Sequence, residues 1–141
     1  MGRILAIDYG RKRVGIAVTD PLKMIANKLT TVSAHEVFDF LSNYFSKENV
    51  ELVVVGYPKT VHDEPSESIR YINPFLKQFQ KKFPEIKLEL VDERFTSKIA
   101  FQTMIDAGLK KKDRQNKELI DAVSATIILQ FYLEQQRNLY R

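Results

Sequence analysis

Leu52 to Val55 form an unbroken apolar run, Leu-Val-Val-Val, bounded by Glu51 and Gly56. The run is too short for a helix, and its valines favour extended backbone. Strand side chains point alternately to opposite faces, so a strand with no polar position must be covered on both sides. This one segment predicts a central strand covered on both faces, and the order of the other segments says what covers it.

Ile4 to Ile7 is a second apolar run, ending at Asp8-Tyr9-Gly10. Val14 to Val18 follows after a basic turn, and the two runs predict a hairpin. Lys28 to Val32 reads as a weaker third strand. Ser33 and Glu36 have the spacing of a capping box for a helix through about Lys47, with Val37, Phe38, Leu41, Tyr44 and Phe45 on its apolar face. After Gly56 a polar loop reaches about Pro65. The next helix is interrupted by Pro74: either it kinks there, or Asn73 caps a fresh start. Ile86 to Val91 alternates and ends at Asp92-Glu93. Thr96 or Ser97 caps a short helix that stops near Gly108, and a long helix spans about 116–136. This order predicts an α/β fold: a mixed five-stranded sheet, its first three strands antiparallel, flanked by helices. The 141 residues contain no repeat or linker, so one domain over 1–141 is expected.

Several functions are excluded. The chain has no Cys, which removes thiolate metal sites, thiol nucleophiles and disulfides, and a reducing cytoplasm is the natural compartment. The longest uncharged stretch, Ala122 to Leu133, falls short of the ~20 apolar residues a membrane helix needs, so no membrane role is expected. Gly10 and Gly15 have the separation of a phosphate-binding loop, but Ile16 stands where that loop needs Lys.

The net charge of +4 is unevenly placed. Residues 1–93 balance, and the excess lies in 94–141, where Lys110, Lys111, Lys112, Arg114 and Lys117 face only Asp113 in their own stretch. Arg11, Lys12 and Arg13 form a second knot. Such patches bind polyanions through counterion release, although a solvated loop has the same composition.

Three acids hold unusual positions. Asp8 follows the first strand, Glu93 follows the last, and Asp121 falls on the row of Ala125, Ile128 and Tyr132 in the long helix. Singly, each has an ordinary explanation: a turn residue, a helix-leading charge, a solvent-facing side chain. Together, strand ends and a docked helix can gather carboxylates whose oxygens suit Mg²⁺ or Mn²⁺. Two such ions ~4 Å apart support phosphodiester cleavage without a histidine base, and His35 and His62 lie outside these segments. Glu118, three residues before Asp121, is either a fourth ligand or a surface charge beside Lys117.

The runs DYGRKRVGIAVTD (Asp8 to Asp20), DERFTS (Asp92 to Ser97) and IDAVSATIILQFYLE (Ile120 to Glu134) resemble the YqgF/RuvX-type family of the ribonuclease H-like superfamily. Its members are described as Holliday-junction resolvases or pre-16S ribosomal RNA nucleases. The likeness implies a ribonuclease H-like fold and a catalytic, metal-holding triad of Asp8, Glu93 and Asp121 with Mg²⁺ or Mn²⁺. It also matches Gly10, Arg13 and Gly15 to the family's first motif, makes Arg94 a phosphate or structural partner, and sets Thr96 beside it as a substrate contact. The basic patches, Lys110, Lys111, Lys112 and Arg114 with Arg11, Lys12 and Arg13, are then expected to grip the flanking backbone. Gly56, Pro58 and Arg70 echo the family's loop and following helix, whereas His62 to Pro65 lacks the Asp-Gly turn expected there.

The function so implied is a metal-dependent endonuclease acting on structured nucleic acid, with the 5′ end of pre-16S ribosomal RNA as the expected target. A four-way DNA junction is the alternative, and would favour a two-fold dimer. Two rivals share the superfamily fold. Sugar-kinase and actin-like ATPases open with a similar strand-turn-strand, but hold nucleotide between two such domains. A basic adaptor could keep the fold without the chemistry.

Overall fold

The structure, a computed structural model, describes residues 2–57, 69–92 and 117–139, with side chains of the last segment described over 123–136. Strands β1 (Arg3–Tyr9), β2 (Arg13–Thr19) and β3 (Ala26–Ser33) are followed by helix α1 (Val37–Lys47) and strand β4 (Val50–Tyr57). Helix α2 (Ile69–Lys82), strand β5 (Lys87–Asp92) and helix α3 (Lys117–Leu139) complete the described elements. The sheet order is β3-β2-β1-β4-β5. β1, β2 and β3 are antiparallel neighbours, whereas β4 runs parallel to both β1 and β5. The expected mixed five-stranded sheet is therefore present.

Each face of the sheet has its own core. Leu5, Ile7, Ile16, Val53 and Val55 meet Val37 and Leu41 of α1 and Phe75 and Phe79 of α2. On the other face, Ile4, Ala6, Ala17, Leu52, Val54 and Val91 meet Ala125, Ile128, Leu129, Tyr132 and Leu133 of α3. Ala6 and Ala17 are paired across β1 and β2 and fully buried. Their small side chains let a long helix lie close to the middle of the sheet. The row of Ala125, Ile128 and Tyr132 read from the sequence is the face that α3 buries.

Three boundaries differ from expectation. Ser33 does not cap α1: it pairs with Arg13 at the end of β3, and the helix starts at Val37 with no side-chain cap hydrogen bond from Glu36. Sheet pairing has claimed the residue that local propensity assigned to the helix. α2 runs unbroken through Pro74, so Asn73 starts no new helix. Pro74 forfeits one intrahelical hydrogen bond and crowds the Arg70 carbonyl, and the burial of Ile72, Phe75 and Phe79 on either side of it holds the helix together. Asp8 lies within β1, opposite Gly15, rather than beyond its end.

The β1–β4 register shifts between Arg3 and Ile4. There the Ile4 N–H donates to Oγ1 of Thr19 at 2.9 Å, and Thr19 is fully buried. Replacing Thr19 with the isosteric Val removes that acceptor, and a buried amide left unpaired costs about 1–3 kcal/mol. Chemical denaturation of Thr19→Val should register this loss.

The β2–β3 connection is organised by Asp20, whose carboxylate accepts from the N–H groups of Ile25 (2.8 Å), Met24 (2.9 Å) and Leu22 (3.1 Å). These bonds, that from Ile25 foremost, hold its pKa below the ordinary carboxylate value. A depressed folded pKa gives a stabilisation that is full above the unfolded value and is lost as pH falls through the folded one. The melting-temperature gap between the parent and Asp20→Ala should be widest near neutrality and close in acid. A gap unchanged with pH would show that the carboxylate charge is irrelevant.

Candidate functional site

The parallel strands β1, β4 and β5 end together along one edge of the sheet. Ile7 is in register with Val55, and Tyr57 with Asp92. Asp8 lies on this edge. Strand alternation sets it on the face of Ile4 and Ala6, which is the face that α3 covers. Its antiparallel partner is Gly15. On its other side, Gly56 follows Val55, the parallel partner of Ile7, and shares the face of Leu52 and Val54. The Asp8 carboxylate thus has a strand residue without a side chain on each flank. Glycine inside a strand weakens it and commonly marks a place where a ligand or another backbone comes close.

The direction of α3 follows from its C-terminal half. Gln130, Leu133 and Glu134 line a hollow with Met24, Ile25 and Ala26, and Ala26 pairs with Thr19 at the edge where β1 begins. From Leu133 back to Asp121 the helix covers about 18 Å at 1.5 Å per residue. From Ile4 to Asp8, β1 covers about 13 Å. The N-terminal turns of α3, which include Asp121, therefore lie toward the edge that carries Asp8. Glu93 comes one residue after Asp92, the last residue of β5, and is outside the described residues, as are Arg94, Thr96, Lys110, Lys111, Lys112 and Arg114. The side chain of Asp121 is also outside them. Among the described residues alone, no three acids or histidines form a metal-binding group.

The basic knot is divided by the turn that carries it. The Gly10 N–H donates to the Arg13 carbonyl at 2.9 Å, and the Ala34 N–H to the Lys12 carbonyl at 2.9 Å. Arg13 begins β2 and, by alternation, shares the face of Gly15 and Ala17, and so of Asp8. Arg11 goes the other way: its guanidinium lies over the Tyr71 ring of α2, 5.5 Å from the centroid. Lys12 is exposed between them.

Aromatic contacts fix α2 to the same edge. Tyr9 stacks on Phe75 with ring centroids 4.4 Å apart, and Phe75 also stacks on Phe38 at 5.3 Å. Burial raises the Tyr9 phenol above its ordinary pKa, so it is neutral at physiological pH. The Tyr57 hydroxyl is 3.0 Å from Oδ1 of Asn73, a hydrogen bond from the end of β4 to α2. Sequence reasoning placed Arg11 at the site but missed Tyr71 and Asn73. The available signal was Tyr71 one helical turn before Phe75, although the partner of that pair lies in a distant turn.

The fold matches that of solved RuvC proteins. A Thermus thermophilus RuvC in complex with a Holliday junction substrate aligns with a TM-score of 0.54 at 16% identity, covering 96% of each chain. Another Thermus thermophilus RuvC structure gives 0.55 at 16% identity, covering 95% of this chain and 96% of that one. The sheet and its helices have the ribonuclease H-like fold. Residues 2–135 match the family model described as RuvX: Holliday junction resolvase, and the chain belongs to that family. Among curated relatives, one from Christiangramia forsetii is 62% identical over 133 residues, 94% of this chain and 98% of that protein. One from Bacteroides thetaiotaomicron is 58% identical over 137 residues, 97% of this chain and 99% of that protein. Both carry the name "Putative pre-16S rRNA nuclease".

Gly10 is required by close packing. A Cβ there would lie 2.6 Å from the Arg13 carbonyl oxygen, a backbone atom that cannot rotate away. Gly10→Ala should open the turn, lower the melting temperature and speed hydrogen exchange at the amide of residue 10. An unchanged exchange rate would show that the turn tolerates a side chain.

Proposed function

We propose that this chain is a metal-dependent endonuclease that hydrolyses phosphodiester bonds in structured nucleic acid, acting at the 5′ end of precursor 16S ribosomal RNA in the cytoplasm. One domain over 1–141 would carry the activity. The observation that supports it most is the Asp8 carboxylate at the carboxyl edge of the parallel strands, flanked by Gly15 and Gly56 on the face that α3 covers. The names of the relatives support precursor 16S ribosomal RNA as the substrate.

In this reading Asp8, Glu93 and Asp121 hold Mg²⁺ or Mn²⁺. The donor set fits, because carboxylate oxygens suit hard divalent cations, and Gly15, the strand partner of Asp8, carries no side chain to crowd it. The cation's chemistry is to lower the pKa of a water and to offset charge on the phosphate as it is attacked. The chain's own residues bind and orient. Arg13, on the Asp8 face, offsets phosphate charge near the scissile bond, and Arg94 and Thr96, which follow Asp92 in sequence, add contacts to the substrate. Lys12, Lys110, Lys111, Lys112 and Arg114 hold flanking phosphates, so binding should weaken steeply as salt rises. Gly10 keeps the turn tight enough for backbone to approach the strand being cut.

The family description favours a second reading, cleavage of a four-way DNA junction. One assay separates the two: a precursor ribosomal RNA fragment and a four-way DNA junction, each offered with Mg²⁺ and with Mn²⁺. Cleavage of the RNA and not the junction is the expected result. Asp8→Asn should slow cleavage by at least about a hundredfold, the scale at which one charge-stabilising group acts in a transition state. If Asp8→Asn and Glu93→Gln cut as fast as the parent, the ligand assignment is wrong.

A further inference from the structure

The contacts between the β1–β2 turn and α2 form a ladder of two rungs. The lower rung is Tyr9 on Phe75, with Phe75 buried in the core. The upper rung is Arg11 over Tyr71. Tyr71 and Phe75 are four residues apart, one above the other on α2, and Arg11 stands two residues beyond Tyr9. The lower rung is anchored on three sides, by Tyr9, by Phe38 and by Phe79 at 6.2 Å. The Tyr57–Asn73 hydrogen bond ties the same stretch of α2 to the end of β4. The upper rung is therefore built on a fixed base, and it faces outward: Arg11 is exposed and Tyr71 only partly covered.

We propose that Arg11 and Tyr71 together form a stacking platform for one unpaired base of the nucleic acid, a proposal that rests on the nuclease reading above. An arginine held over an aromatic ring carries both a π surface and a positive charge, and single-stranded nucleic acid is gripped by that combination. The platform stands at the sheet edge that carries Asp8, but on the α2 side, whereas Asp8 and Arg13 face α3. A strand crossing the edge would lay its phosphates on the α3 side and turn one base toward α2. A continuous duplex cannot do this without unstacking. The platform thus selects substrates with an unpaired nucleotide beside the cut, such as the single-stranded flank of a folded RNA. Arg11 acts through its plane as much as its charge, so Lys is no substitute.

The test uses the full chain in EDTA, so that binding is read without cleavage. The probes are a short single-stranded RNA carrying 2-aminopurine and a blunt RNA duplex of matching length. Tyr71→Ala should weaken single-strand binding about tenfold, the usual scale for one stacked base, and leave duplex binding within twofold. Tyr71→Phe should bind as the parent does. Arg11→Lys should keep the salt dependence and lose the 2-aminopurine quenching. If Tyr71→Ala binds the single strand like the parent, or weakens both probes equally, the platform is overturned. Failure of the parent to bind either probe would also overturn the platform, while the nuclease reading stands or falls on the cleavage assay with metal. Matching melting temperatures for Tyr71→Phe and Tyr71→Ala exclude a folding defect as the cause.

Discussion

The contact between α3 and the sheet rests on Ala6 and Ala17, paired across β1 and β2. Larger side chains at this pair would lift the helix off the sheet. β1 and β4 would then lose the cover that their apolar rows require on that face, and Asp121 would move away from the edge that holds Asp8. The same face is small again at Gly15 and Gly56, around the acid itself. Close packing in the middle of the sheet and bare backbone beside Asp8 therefore come from a single choice of small residues. Each depends on the strand alternation that puts them on one side.

The opposite face is built differently. There α1 and α2 bury a cluster of aromatic rings, with Phe75 against Tyr9 and Phe38, and Phe45 edge-on to Phe79 and Phe83. Large rings keep the helices at a distance and fill the gap, and they reach the sheet edge through Tyr9. The edge that carries Asp8 is thus held between a thin layer of small residues and a thick layer of aromatic ones. The turn between Tyr9 and Arg13 divides its charges between the two layers.

Much of this was legible in the sequence wherever burial alone decided the outcome. The runs Ile4 to Ile7, Val14 to Val18 and Leu52 to Val55 are strands, and the row of Ala125, Ile128 and Tyr132 is a buried helix face, because apolar periodicity and burial have the same cause. Boundaries were less legible. Ser33 carries a capping signal, yet its backbone belongs to β3, because a sheet partner supplies hydrogen bonds that a local motif cannot foresee. β3 is weak in sequence since it lies at the sheet edge and needs few apolar positions. Asp8 was recognisable as an acid at a strand end. Its pairing with Gly15, and the contact of Arg11 with Tyr71, join segments whose proximity only the tertiary fold decides.

The strand order also bears on how the molecule is assembled. β3, β2 and β1 are joined by short connections, so their contacts lie close in sequence and form quickly. β4 and β5 join only through longer crossovers, and α3 belongs to the end of the chain. During synthesis from the N-terminus the meander, with Asp8 and the basic turn already in place, precedes everything that faces it. The strand with Asp8 is thus made before β5 and α3. A chain cut short before α3 leaves the Ala6–Ala17 face without its cover. Such a fragment exposes an apolar sheet and is a natural target for quality control.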